Sequence, residues 1–249
     1  MFAAWCAGGL APSAIVDPSL PAGVARDADT LVASLDALRP GFSPAAVVLA
    51  IKPQMAAEML PALGRVIPKT APVLSILAGL TAGRLSELLG GAHALVRAMP
   101  NTPAAIGRGM TVAFAGPTLG PAQRALCHEL LAATGDIAWV EDEALIDPIT
   151  SVSGCGPAYV FLLAELLERE GVAQGIPPAL ARQLARRTVS GAGALLDTSP
   201  ETSAALRQAV TSPNGVTERA LAVLMQPDAW PANIAAALRA ATDRSRELG

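Results

Sequence analysis

Ala46-Val47-Val48-Leu49-Ala50-Ile51 runs into Lys52-Pro53 and is followed by a helix-forming stretch from Met55 to Val66. A short run that is apolar at both odd and even positions suits a strand covered on both faces. Such strands belong to parallel sheets whose connecting helices lie above and below. The pattern recurs on either side. Ala14-Ile15-Val16 stops at Asp17-Pro18, Val73-Leu74-Ser75-Ile76-Leu77 stops at Ala78-Gly79, and Ala94-Leu95-Val96-Arg97-Ala98-Met99 stops at Pro100-Asn101, with a helical stretch from Leu80 to Leu89 between the last two. Strand alternating with helix predicts a doubly wound α/β domain, whose ligand site lies at the carboxyl ends of the strands. Asp17, Lys52, Ala78 and Asn101 fall at those ends.

Beyond residue 143 the strand-like runs cease and helical periods follow one another to the C-terminus. They are expected at Tyr159 to Arg169, Ala179 to Leu196, Ser203 to Val210, Thr217 to Met225 and Ala232 to Leu248. The change of period predicts two domains, 1–142 with the sheet and 143–249 all helical. Gly191-Ala192-Gly193-Ala194 lets helices approach closely, which serves internal packing and a subunit interface equally well.

Composition narrows the function classes. At 249 residues the chain has room for one large or two small domains. Hydrophobic residues are 52% and charged ones 16%, which excludes intrinsic disorder, and 3% aromatics make the core aliphatic. With 18 basic residues against 21 acidic, the net charge of −3 offers no footprint for nucleic acid or an anionic membrane. Cys6, Cys127 and Cys155 are odd in number and widely spaced, so neither a disulfide framework nor a zinc site is expected. His93 and His128 show no ligand spacing, and no metal is expected. No uninterrupted apolar run reaches the roughly 18 residues that span a bilayer, and Met1 to Leu10 lacks the basic start of a signal peptide. The expectation is a soluble, cytoplasmic protein.

Three local patterns bear on chemistry. A dinucleotide fold usually carries a strand followed by G-x-G-x-x-G at the start of a helix, and no such segment occurs here. Met1 to Leu10 instead reads as the latter half of a helix ending at a glycine cap. The reading is that a strand and a glycine loop are lost, that the start was assigned too late, or that the fold never had the loop. The second pattern is Val210-Thr-Ser212-Pro213-Asn214-Gly215-Val216-Thr217, where one helix stops and another starts. Its backbone N–H groups suit either a carboxylate site or an ordinary helix entry. Third, Ser151-Val-Ser153-Gly154-Cys155-Gly156-Pro157-Ala158-Tyr159 reads as a tight helix entry, in which Cys155 has no histidine near it and is expected to be a small core thiol.

Met99-Pro100-Asn101-Thr102-Pro103, Ser153-Gly-Cys-Gly-Pro157-Ala-Tyr159 and Val210 to Thr217, with Ala50 to Pro53 and the closing Arg244-Ser-Arg-Glu-Leu248, resemble pyrroline-5-carboxylate reductases. The resemblance runs in order over essentially the whole chain and decides the second pattern in favour of the carboxylate site. It implies a Rossmann-type NAD(P)-binding domain, here without its first strand and glycine loop, and a helical C-terminal domain that forms dimers and often larger rings. It also implies the last step of proline biosynthesis. Residue by residue, Ala50, Ile51, Lys52 and Pro53 are expected to line the cofactor cleft, with Asn101 beside them and Ile76, Leu77 and Ala78 next to the nicotinamide. Asp17 falls where the family meets the adenosine ribose. A carboxylate there accepts from ribose hydroxyls and repels a 2′-phosphate, so a tilt toward NADH over NADPH is expected. Ser212, Gly215, Val216 and Thr217 are expected to bind the substrate carboxylate, with the Thr217 hydroxyl on the ring nitrogen as the catalytic contact, and Glu143 matches an acidic substrate-binding position. Cys155 stands where the family has serine, Asn214 where it has glycine, and Val216 where a smaller or polar residue is common.

The implied reaction delivers hydride from the nicotinamide to a cyclic C=N bond of 1-pyrroline-5-carboxylate, giving L-proline. A protonated imine is already electrophilic, so a strong acid in the site is not required. Two other readings stay open at this point: a related imine or β-hydroxyacid reductase, and a non-catalytic dimer-forming remnant unable to hold a dinucleotide.

Overall fold

A computed structural model describes residues 1–19, 23, 25–91 and 93–248. The chain divides into two compact units, Met1–Gly154 with Ala241–Gly249, and Cys155–Ala240. The first unit holds helix α1 (Phe2–Ala7) and strands β1 (Ala14–Val16), β2 (Thr30–Val32) and β3 (Val47–Leu49), followed by α2 (Ala56–Val66), β4 (Val73–Ser75), α3 (Ala82–Leu88) and β5 (Leu95–Met99). It continues through β6 (Gly109–Ala115), α4 (Pro121–Ala132), β7 (Gly135–Val140) and the short α5 (Ile146–Ile149), which runs into a π-helical turn at Thr150–Gly154.

The main sheet has the order β3-β4-β5-β6-β7. β3, β4 and β5 are parallel, with Leu49 opposite Ser75 and Ser75 opposite Arg97, so their carboxyl ends lie side by side. β6 enters antiparallel to β5, and β7 runs parallel to β6. β1 and β2 pair in parallel as a separate two-stranded sheet. The strands read from the sequence are all present, β1 as read, β3 shortened at both ends, β4 at its carboxyl end and β5 by one residue at its start; β2, β6 and β7 are additions to that reading.

Successive strand residues point to opposite faces, and both faces are covered. On one, Val73 and Leu95 join Leu49 and the helix residues Leu60 and Leu85 in one core; on the other, Leu74 and Val96 join Ala98, Ala113, Cys127 and Leu131. Burial on two sides is why these runs are apolar at odd and even positions alike, with Ser75 and Arg97 the polar exceptions.

The second unit consists of α6 (Gly156–Ala173), α7 (Pro178–Thr198), α8 (Ser203–Ala209), α9 (Val216–Leu224) and the start of α10 (Trp230–Glu247), whose residues from Ala241 onward count with the first unit. Among the described residues its fully buried side chains are only Ala181 and Ala185, while Phe161 is 65% exposed and Val160, Leu162, Leu184, Leu195 and Val223 also stand open. A helical unit with so small a core of its own has its apolar surface available for another protein surface. The helical run Glu143–Ala173 is also long and apolar enough to cross a membrane by length and composition. An uninterrupted-run criterion misses it because Ser, Gly and Pro punctuate its first half.

Candidate active site

Three parallel strands deliver their ends to one edge of the sheet. Ala50 and Ile51 follow β3, Lys52 caps a 3-10 turn that Pro53 opens, and Ile76 N–H donates to the Leu49 carbonyl at 3.1 Å, keeping the β4 exit in register beyond Ser75. Leu77 N–H donates to Ser75 Oγ. Ala50–Pro53, Ile76–Ala78 and Asn101 are therefore neighbours by topology. The Asn101 amide is engaged within the chain: Nδ2 donates to the carbonyl and the hydroxyl of Ser153 at 3.3 Å, and Oδ1 accepts from Met110 N–H at 2.9 Å. Asp17 lies at the exit of β1, half-buried, where its Oδ1 accepts from the backbone and hydroxyl of Ser19.

Glu143 sits in a 3-10 turn just after β7. Its Oε1 accepts from Ala82 N–H at 2.7 Å, in the first turn of α3, and from Arg97 at 3.3 Å. The Arg97 side chain, 1% exposed, also donates to Asp147 Oδ1 at 2.7 Å, and Ser245 Oγ donates to the same oxygen at 2.9 Å. A buried guanidinium needs such partners, because a desolvated charge without them is strongly destabilising. Sequence reasoning singled out Glu143 and missed Arg97, Asp147 and Ser245. The one local signal was an arginine inside an otherwise apolar strand run.

The 212–217 turn belongs to the helical unit. Gly215 N–H donates to the Ser212 carbonyl at 2.9 Å, and Asn214 adopts φ +58°, a left-handed conformation that asparagine tolerates better than most residues. Gly215 caps α9, and a Cβ added there would lie 2.9 Å from the Ser212 carbonyl oxygen, so the turn closes only around a residue without a side chain. Ser212 and Thr217 are exposed, and Val216 is 90% exposed. Glu218, unremarked in the sequence, accepts from Asn214 N–H at 2.7 Å, the third-position acid of a helix entry. The first amides of α9 have no intrahelical acceptor, and the positive end of the helix favours an anion. Near the start of α6, burial and the neighbouring Cys155 push the Tyr159 phenol above its ordinary range.

The helical part, residues 143–248, matches the family model described as pyrroline-5-carboxylate reductase dimerisation. A pyrroline-5-carboxylate reductase of Synechocystis is 41% identical over 203 residues, covering 82% of this chain and 74% of that protein. The chain belongs to the pyrroline-5-carboxylate reductase family. The Pseudomonas aeruginosa reductase is similar at 39% identity over 81% of this chain and 74% of its own length. Among solved structures, the Coxiella burnetii reductase superposes with a TM-score of 0.84 at 31% identity, over 100% of this chain and 93% of that one. The Plasmodium falciparum reductase, solved with NADP bound, superposes at 0.82 and 26% identity, over 95% and 87%. The Rossmann-type sheet domain and the helical C-terminal region are thus those of the reductase family, and self-association is the property its helical region carries.

The strand ends fit the nicotinamide half of a dinucleotide. Beyond the middle strand of the three, Ile76 and Ala78 are apolar and half-buried while the Leu77 side chain is buried in the core, and Gly79, with φ +84°, is itself buried. Among the described residues no glycine-rich turn links a strand to a helix at this edge for the pyrophosphate, and no group of three or more His, Cys, Asp or Glu is placed to hold a metal ion.

Proposed function

We propose that the chain reduces 1-pyrroline-5-carboxylate to L-proline with NAD(P)H, the closing step of proline biosynthesis. The observation that carries this reading is the 41% identity to the Synechocystis reductase over 82% of the chain. When bound, the cofactor supplies a hydride to the imine carbon; the imine nitrogen becomes the amine of proline.

In this reading, Ala50, Ile51, Lys52, Pro53 and Asn101 line the cofactor cleft, the last through its backbone because its amide is engaged by Ser153 and Met110. Ile76, Leu77 and Ala78 lie against the nicotinamide, and Asp17 meets the adenosine ribose. Asp17 Oδ1 accepts from Ser19, and a carboxylate at the ribose would repel a 2′-phosphate, which is the support for NADH over NADPH. Ser212, Gly215, Val216 and Thr217 hold the substrate carboxylate at the positive end of α9, with the Thr217 hydroxyl on the ring nitrogen. Glu143 reaches the substrate from its anchored position on Ala82 N–H. Holding both rings face to face supplies most of the rate, so no histidine is needed.

The same reading takes 1–142 as the cofactor domain and 143–249 as the substrate and dimerisation domain, with the open apolar faces of α6 and α7 covered in a dimer and in any larger ring. Three free cysteines are in keeping with a reducing cytoplasm. The test is direct. Adding 1-pyrroline-5-carboxylate to the protein with NADH or NADPH should consume reduced nicotinamide and yield proline. No consumption with either cofactor rejects the reading, and faster turnover of another imine or of a β-hydroxyacid reassigns it to a sister reductase.

A further inference from the structure

The loop between β4 and α3 is held from two sides by residues far away in sequence. At its start, Gly79 lies so close to the C-terminal turn that an added Cβ would meet Leu248 Cβ at 2.5 Å, with the Ser245 carbonyl oxygen 3.1 Å away. At its end, Ala82 N–H donates to Glu143, which shares Arg97 with Asp147, and Asp147 in turn accepts from Ser245. The C-terminal turn therefore touches the loop directly through Leu248 and indirectly through Ser245, Asp147, Arg97 and Glu143. Ser245 is 5% exposed and Arg97 1%, with the Asp147 side chain at 14% and Glu143 at 24%, so the centre of this chain of contacts is shielded from water, where polar bonds hold geometry most firmly.

We propose that Ser245 and Leu248 are positioning residues for hydride transfer, fixing the Leu77–Ala82 loop in the conformation that receives the nicotinamide, with Arg97 as the strut between them and Glu143. This rests on the proposed function, since that reading puts the nicotinamide beside Ala78. The loop's left-handed Gly79 has no side chain to pin it, and the packed C-terminal turn does that instead.

The test compares full-length Ser245→Ala, which breaks the bond to Asp147, and Leu248→Gly, which removes the side chain over Gly79, with Leu248→Met, which keeps it. Amide hydrogen exchange is measured without cofactor, and NADH and NADPH affinity by nicotinamide fluorescence. Ser245→Ala and Leu248→Gly should each speed exchange at residues 77–88 several-fold while leaving 47–66 unchanged, and weaken cofactor binding by roughly 3- to 10-fold with the substrate KM unaltered. Leu248→Met should match the wild type. Unchanged exchange at 77–88, or faster exchange across the whole sheet together with a lower melting temperature, overturns the positioning role. If the wild type binds neither nicotinamide, the proposed function fails and this role falls with it; if the wild type binds and the two variants bind equally well, only the positioning role fails.

Discussion

Lys69 Nζ lies 2.8 Å from Nε2 of His93, a residue just before β5 that is almost wholly buried. An ammonium can only donate, so Nε2 is the accepting, unprotonated nitrogen and the ring is neutral. Burial, and after it the Lys69 charge, hold the His93 pKa below its usual 6.5. The unfolded chain therefore takes up a proton on this residue at a higher pH than the folded one. Stability from this site is complete above about pH 6.5 and is lost as the pH falls below it toward the lowered folded value. Melting curves from pH 8 to 5 should show a decline on the acid side that is shallower in His93→Gln. Equal slopes in the two proteins contradict this assignment.

Thr217 follows the first residue of α9, exposed and next to the turn that Gly215 closes. If its hydroxyl meets the ring nitrogen, removing it affects the reacting centre and not the dinucleotide. Thr217→Ala should lower turnover by about a hundredfold while NADH affinity stays near normal. Turnover should be read under saturating substrate and affinity by fluorescence titration. Lost cofactor binding in this variant contradicts the assigned role.

The strands that make up the cofactor edge were legible because their burial on both faces leaves a mark every reader of sequence can see, as in Val47 to Ile51 and Leu95 to Met99. β6 was not, since Gly109 to Ala115 mixes Gly, Ala and Thr with its apolar residues and joins the sheet antiparallel, against the pattern set by its predecessors. The helices of the C-terminal half were legible from their period, though nothing local indicated that their apolar faces would remain open. In the site, the 212–217 turn was legible because a turn is a local event encoded by Pro, Asn and Gly. The Arg97 network was not, because its partners lie 46, 50 and, from Ser245 to Asp147, 98 residues apart. Such contacts are products of the fold and leave no spacing to read.

Asn214 is the one described non-glycine residue with positive φ, and its backbone N–H is tied to Glu218. A residue that has a Cβ but lacks asparagine's short polar side chain is strained there. Asn214→Ala should cost about 1 kcal/mol of stability and raise the substrate KM, whereas Asn214→Gly should be as stable as the wild type. Denaturant midpoints and steady-state kinetics on the two variants check this. Equal stability of Ala and Gly at this position is the contrary outcome.

Cys127 is completely buried between α4 and the sheet, and burial pushes its thiol up to about 11. The thiolate is the reactive form. In the native protein Cys127 should resist aromatic disulfide reagents at pH 8 and react only once the chain is unfolded. Mass spectrometry of labelled peptides distinguishes it from Cys6 and Cys155. Labelling of Cys127 at the rate of a small-molecule thiol means that α4 opens readily or packs differently.

Asp17 offers a way to separate the two nicotinamide cofactors. Its carboxylate is fixed by Ser19 through both a backbone and a hydroxyl bond, so its charge stays at the β1 exit. A 2′-phosphate brought beside it meets like charge, while ribose hydroxyls find an acceptor. Asp17→Ser removes the charge and keeps a hydrogen-bonding group. The ratio of kcat/KM for NADH to that for NADPH should fall on the order of tenfold, equivalent to about 1.4 kcal/mol. The change should come mainly from improved use of NADPH, because relieving repulsion affects the phosphorylated cofactor alone. An unchanged ratio means that the ribose is read elsewhere, and a wild type that already prefers NADPH means that the Asp17 carboxylate does not face the 2′ position.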